Sequence, residues 1–171
     1  MSLQLSRRLL ITAGLASWAT AGLAAAQRYE LVQARSRVAI IFPVNGAHQT
    51  GTVPVQTADI RVDTANLARS SADVTADIRS ARAGVVFVTQ ALLSPSVLNA
   101  AAHPIVRYTS TRITLGRAGR ISDGARIDGR LTLRGVTRPL QLDANLTRPA
   151  GTAPDDLSVL HIRLTGLLSR A

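Results

Sequence analysis

The stretch Leu131-Thr132-Leu133-Arg134-Gly135-Val136-Thr137-Arg138-Pro139 decides how the rest of the chain is read. Leu131 and Leu133 point to one side and Thr132 and Arg134 to the other, the period-2 pattern of a half-buried strand. Gly135 supplies the backbone freedom that a tight reversal needs, and a second strand begins at once. These nine residues predict a hairpin with one dry face and one wet face.

The same alternation spreads in both directions. Val38, Ile40 and Phe42 alternate with Arg37 and Ala39, and Ala58, Ile60 and Val62 with Asp59, Arg61 and Asp63. Ala72, Val74, Ala76 and Ile78 alternate with Asp73, Thr75, Asp77 and Arg79. Ala125, Ile127, Gly129, Leu131 and Leu133 form the next apolar set, followed by Leu140, Leu142, Ala144 and Leu146, and then by Leu160, Ile162, Leu164 and Leu168. One dry face per strand is the mark of an antiparallel sheet around a single interior. The phase breaks twice. Val53 and Val55 lie on the opposite parity from Ile60 and Val62, which predicts a bulge or bend near Gln56, and a second shift falls around Ser110 and Thr111. Long, bent strands are what barrels use to close.

Between the strands ending near Arg79 and starting near Ile105 lies a helical insert. Ser94 as N-cap and Pro95 at the first helical position predict a short helix over residues 97–102, stopped by His103-Pro104. Residues 85–92 are a second short helical candidate. No repeat, heptad or low-complexity linker interrupts the pattern, so the expected architecture is a small antiparallel barrel with a helical patch over one side or end.

The N-terminus reads as an address. Residues 1–8 are a short basic region, residues 9–23 are uncharged and largely apolar around Trp18, and Ala24-Ala25-Ala26 offers a small-x-small cleavage site. Residues 1–26 are therefore expected to be a signal peptide, and residues 27–171 a single domain. The uncharged run reaches the length of a minimal membrane span, but Ala, Gly and Thr partition weakly into lipid, which favours a cleaved signal over a retained anchor. Ser6-Arg7-Arg8-Leu9-Leu10-Ile11 resembles the twin-arginine consensus and also suits the general secretory route, so export is read and its route is left open.

Composition narrows the function. Cysteine is absent, which excludes disulfides, thiolate metal sites and a lipoprotein anchor. The formal charge of +10 comes with 20 basic residues, all of them Arg, scattered along the strands. Single-strand binders also need aromatic platforms, and after the signal only Tyr29, Phe42, Phe87 and Tyr108 remain, so no nucleic-acid partner is expected. His48, His103 and His161 share no metal-ligand spacing, and Glu30 is the one glutamate. Asp155-Asp156, between Pro154 and Leu157, reads as a turn. With no nucleophile elbow and no glycine-rich phosphate cradle, no catalytic residue, metal or cofactor is expected. What remains is the interior: Ala72, Ala76, Ala125, Gly129 and Ala144 are small and alternate with larger aliphatics. Such a wall either leaves room for an apolar chain or belongs to a narrow, flattened barrel.

Besides the 131–139 stretch, three further landmarks occur in order over roughly residues 28 to 170. They are Tyr29-Glu30-Leu31 with Ser36-Arg37-Val38, Leu93-Ser94-Pro95 with Leu98-Asn99-Ala100, and His103-Pro104-Ile105-Val106-Arg107-Tyr108-Thr109-Ser110-Thr111. Together they resemble the YceI family of periplasmic, lipocalin-like proteins that bind polyisoprenoid lipids. The resemblance implies an all-β fold, an antiparallel lipocalin-like β-barrel with a short helical insert. It also implies periplasmic residence, no cofactor, and a non-catalytic role in sequestering or carrying an isoprenoid lipid, polyprenyl or quinone-like, in an apolar cavity. Parity nominates Phe42, Ile60, Val74, Phe87, Tyr108, Ile127, Leu131, Leu142 and Ile162 as its ligand-binding wall.

Three departures bear on that reading. Arg35-Ser36 stands where many relatives carry His-Ser, and Thr89-Gln90 where many carry Arg-Asp. Both change the polar groups that would meet a head group and leave ligand class open. Relatives that read like Leu167-Leu168-Ser169-Arg170 also continue into a final strand, whereas this sequence stops at Ala171. That predicts an incompletely closed barrel with unpaired edges, open to a homodimer through its free edge. The alternative function is a structural or stress-response barrel that acts through a protein partner without bound lipid.

Overall fold

The structure, a computed structural model, describes residues 26–168 apart from 45, 64–65, 117–122, 154–155 and 157. The expected export signal (its last residue, Ala26, aside), Asp155 and the last three residues lie outside them. Among the described residues nine strands alternate with short connections: β1 (Gln27–Tyr29), β2 (Arg37–Val44), β3 (Ala47–Val62), β4 (Ser71–Asp77), β5 (Arg82–Ala83), β6 (Ile105–Leu115), β7 (Ala125–Leu133), β8 (Val136–Thr147) and β9 (His161–Thr165). One helix, α1 (Val86–Leu93), stands between β5 and β6.

All nine strands join one antiparallel sheet in the order β1-β3-β4-β6-β7-β8-β9, with β2 and β5 also paired to β3. The sixteen residues of β3 make this branching possible: their first half pairs with β2 and β5, their second half with β1 and β4. The sheet curls into a half-barrel, and among the described residues the outer edge of β9 meets no further strand.

The hairpin that opened the reading is present. β7 ends at Leu133, Arg134 and Gly135 take positive φ of 54° and 74°, and β8 starts at Val136. Two consecutive left-handed residues match the twist of the flanking strands, and only the second is a glycine. Thr132 and Thr137 close the turn with a 2.8 Å hydroxyl–hydroxyl hydrogen bond.

Both predicted phase breaks are bulges. The β3–β4 register slips between Val55 and Thr57, and the β6–β7 register between Ser110 and Arg112. Each extra residue would leave backbone groups without ladder partners. Polar side chains answer for them: the Gln33 amide donates to the Gln56 carbonyl at 3.2 Å, Thr111 donates to the Asp128 carbonyl at 3.1 Å, and Ser110 accepts from the Ala72 N–H at 2.9 Å.

The core sits where residues 78–104 fold over one end of the sheet. Val53, Ala76, Ile78, Ala81, Leu92, Leu98 and Ala100 are buried together, with Ile40, Phe42, Val106 and Leu133 packed against them. Gly51 is required there: a Cβ at that position would lie 2.8 Å from a Leu92 methyl.

Two sequence expectations need correction. The helix is the second candidate, over Val86–Leu93, and residues 95–102 form successive turns. Ser94 caps the C-terminus of α1: Pro95 disfavours helical geometry in the residue before it, and Ser94 is extended at ψ 161°. Its carbonyl then accepts the N–H groups of Val97 and Asn99. Ile78 also leaves the strand that parity assigned it. The Asp77 carboxylate accepts the Arg79 N–H, turning the chain into a single 3-10 turn, and the buried Ile78 donates its N–H to the Pro104 carbonyl at 2.7 Å.

Leu92 is 1% exposed and holds the helical cover to the sheet. Leu92→Ala is expected to cost about 2–5 kcal/mol of unfolding free energy in a chemical-denaturation titration.

Candidate ligand-binding face

In an antiparallel sheet, residues opposite one another project to the same side, so the register assigns every strand residue to a face. One face carries Tyr29, Ile60, Ala72, Val74, Tyr108, Leu131, Ile127, Leu142, Ala144, Leu146, Ile162 and Leu164 through a chain of direct pairs and period-2 steps. This is the inner face, the one that holds the core at its covered end. The bulges keep it continuous: Val53 and Val55 lie on it before Gln56 and Ala58 after, and Ile113 and Leu115 rejoin it beyond Thr111.

Eight of the nine parity candidates, Phe42, Ile60, Val74, Tyr108, Ile127, Leu131, Leu142 and Ile162, share this face. Phe42 belongs to the packed end beneath α1. Val74, Tyr108 and Leu131 form one row across β4, β6 and β7, with Ile127 and Leu142 paired two positions further along β7 and β8. Phe87 stands apart on α1 with its side chain exposed.

Burial falls steadily across the sheet. Tyr108 and Ile127 are buried, Leu140, Leu142, Ala144 and Leu146 are half-buried, and all of β9 is exposed, Ile162 and Leu164 included. The face is thus roofed at one end and open towards β8 and β9.

Tyr108 fixes the middle of this wall. Its hydroxyl donates to the Ile127 carbonyl at 3.1 Å and lies 3.4 Å from that of Leu140, which lays the ring flat across Gly129. Any Cβ at residue 129 would overlap that ring. Glycine is needed because the neighbouring strand's aromatic ring fills the space a side chain would take. Burial, reinforced by the Asp128 carboxylate nearby, pushes the phenol above its ordinary value.

The sequence reading missed two features of this face. Ile113 and Leu115 become visible only if parity is recounted past the bulge. Arg138, opposite Leu131, is the one charged residue on the inner face among the described strands, and it is exposed. Its signal was its parity with Leu140 and Leu142. Thr89 is used locally: its hydroxyl accepts the Ala83 N–H at 2.9 Å and lies 3.2 Å from the Val85 carbonyl, tying α1 to β5.

The outer face is polar and cross-braced. Arg107 grips Asp73 with two guanidinium nitrogens, Thr109 adds a hydrogen bond to the same carboxylate, and Arg28 and Arg61 both meet Asp59. The Arg107 hydrogen bonds hold the Asp73 carboxyl below the usual carboxylate range, and Arg79 does the same for Asp77. Two open grooves lie among the described residues, one lined by Thr111, Asp128, Arg130 and Gln141, the other by Asp143, Thr165 and Leu167. Among the described residues no three His, Asp or Glu side chains come together as a metal site. His48 and His161 are exposed and His103 is half-buried beside Gly135.

Comparison with known proteins fits this geometry. Residues 29–170 match the YceI-like domain. The structure resembles that of Burkholderia cenocepacia BcnA, with a TM-score of 0.58 and 22% identity over 69% of this chain and 72% of that one. It also resembles the Campylobacter jejuni YCEI protein, with a TM-score of 0.53 and 19% identity over 82% of this chain and 96% of that one. Among curated proteins none matches by sequence.

Two substitutions test the wall. Tyr108→Phe should cost about 1 kcal/mol by removing the hydroxyl's hydrogen bonds, while Gly129→Ala should cost about 1–3 kcal/mol by forcing the ring out of place, both read from denaturant midpoints. The depressed Asp73 carboxyl contributes stability that is present above the unfolded value near pH 3.9 and is lost as the pH falls through the lower folded value. Asp73→Asn should therefore lower the melting temperature at neutral pH, by less than Leu92→Ala because solvent screens the pair, and the gap should close in acid. Tyr108 acts at the other extreme: its contribution is intact below about pH 10 and is lost as the pH rises further.

Proposed function

Because the chain belongs to the YceI-like family, we propose that it is a periplasmic, non-catalytic carrier that holds an isoprenoid lipid against its inner face. The observation that carries this reading is the largely apolar face that runs from the roofed core to the open strands β8 and β9. Eight of the nine nominated wall residues share that face. An elongated apolar chain laid along it removes both its own surface and the wall's from water, worth roughly 25 cal/mol per Å2 before ordering costs. No polar chemistry is needed for such binding, and the ligand enters and leaves unchanged.

Arg138 refines the ligand class. It is the one cation on the inner face of the described strands, exposed beside Leu131, and suits an anionic head group at the end of an apolar tail. That favours a polyprenyl phosphate over a quinone.

Mass spectrometry of an organic extract of the exported, purified protein tests the reading. A stoichiometric polyprenyl phosphate is the expected result. A quinone would retain the carrier and reject the role of Arg138. An empty extract from folded, monomeric protein would reject the carrier and favour a barrel that works through a protein partner. Arg138→Ala should weaken binding of a polyprenyl phosphate by about tenfold, the loss of one charge-assisted contact, and leave binding of the corresponding alcohol unchanged.

A further inference from the structure

The helix that roofs the core is apolar on both sides. Its sequence, Val86-Phe87-Val88-Thr89-Gln90-Ala91-Leu92-Leu93, contains no charge. Val88 and Leu92, one turn apart, are buried against the sheet. Val86 and Phe87 point away from it and are 75% and 65% exposed, with Val85 before them at 46%. The first turn of α1 is thus apolar on the side that faces water as well as on the side that faces the sheet. Three consecutive large apolar side chains in water form a patch that calls for a partner.

The charge around the patch selects the partner. From residue 78 to residue 122 the sequence has no Asp or Glu. Arg82, three residues before the patch, reaches only the carbonyls of Ala81 and Arg79, so its charge is not neutralised. A protein groove would ask for shape complementarity around the three side chains, whereas the cluster sits on one short convex turn. An exposed apolar wedge beside an unneutralised cation is the arrangement that enters the head-group layer of an anionic lipid surface.

We propose that Val85, Val86 and Phe87 form a membrane-docking tip that seats this end of the protein on an anionic bilayer. The inference rests on the carrier reading for its purpose, because it puts the roof of the apolar face against the phase that supplies the lipid. Its physics stands on the exposed side chains and the local charge. Insertion of Phe87 supplies the apolar contact and Arg82 the attraction to lipid phosphate.

Flotation with vesicles of equal phosphatidylglycerol and phosphatidylethanolamine, compared with phosphatidylcholine vesicles, tests it on the exported, mature protein. The wild type is expected to float with the anionic vesicles and not with the neutral ones. Val86→Ser combined with Phe87→Ser should reduce binding at least about tenfold, with an unchanged melting temperature because both residues are exposed. Equal binding by the double variant would overturn the proposal, as would a wild type that binds neither vesicle. A vesicle-free dimer that the double variant abolishes would assign the patch to a second copy and also overturn it. Organic extracts of both proteins keep the two readings separate. Lipid in the extract without vesicle binding sinks the docking tip alone, whereas vesicle binding that depends on Val86 and Phe87 supports the tip even when the extract is empty.

Discussion

A strongly curled sheet keeps one face apolar only if each local change of direction leaves the inside-outside alternation in step. β3 and β6 both bend, and each bend inserts one residue, at Gln56 and at Thr111. If the bulge did not absorb that residue, the side chains beyond it would be exchanged between faces, setting Asp59 and Arg61 inside and Ile60 outside. The rest of the structure depends on this phase correction. It explains why Val53 and Ile60, of opposite parity in the sequence, serve the same wall. It also explains why Gln33, Ser110 and Thr111 are polar, since their side chains take up the hydrogen bonding that the inserted residues disturb.

The wall is further shaped by subtraction. Gly129 and Gly51 stand where an incoming side chain, Tyr108 or Leu92, needs the volume of a Cβ. In each case a large residue lies flat over the backbone of a neighbouring strand, so the inner surface is smoothed without lengthening the barrel. The opposite face has no such economy. It is held by carboxylate–guanidinium and hydroxyl contacts that water screens, and these orient the strands more than they stabilise them.

Much of this was legible in the sequence, because period-2 alternation in a sheet with one interior is a direct image of the faces. The hairpin at Arg134-Gly135, both bulges and the shared face of eight wall candidates follow from parity alone. The helix was harder. Ser94-Pro95 carries the composition of a helix start, but the same pair is equally suited to ending one, since proline acts on the residue before it as well as on its own. Only the packing of Leu92 over Gly51 selects between the two. Phe87 misled for a related reason: parity has no meaning on a helix, and an aromatic residue near an apolar sheet reads as wall until the helix shows which side it faces. Arg138 was passed over because a charged residue at a hairpin is ordinarily assigned to solvent.

Arg134 has two roles that belong to different levels of structure. As a residue with positive φ it sets the reversal between β7 and β8, and its guanidinium donates to the carbonyls of Val97 and Pro95 at 3.3 and 3.1 Å. The donors are aimed at the 95–102 turns only when the reversal has its left-handed geometry. The roof is therefore latched by the turn at the end of β7 and β8, beside which it lies. The β7–β8 turn and the cover over the core thus share one residue. A disturbance of the turn at residue 134 would therefore be felt in the cover over the core, although the two lie far apart in the chain.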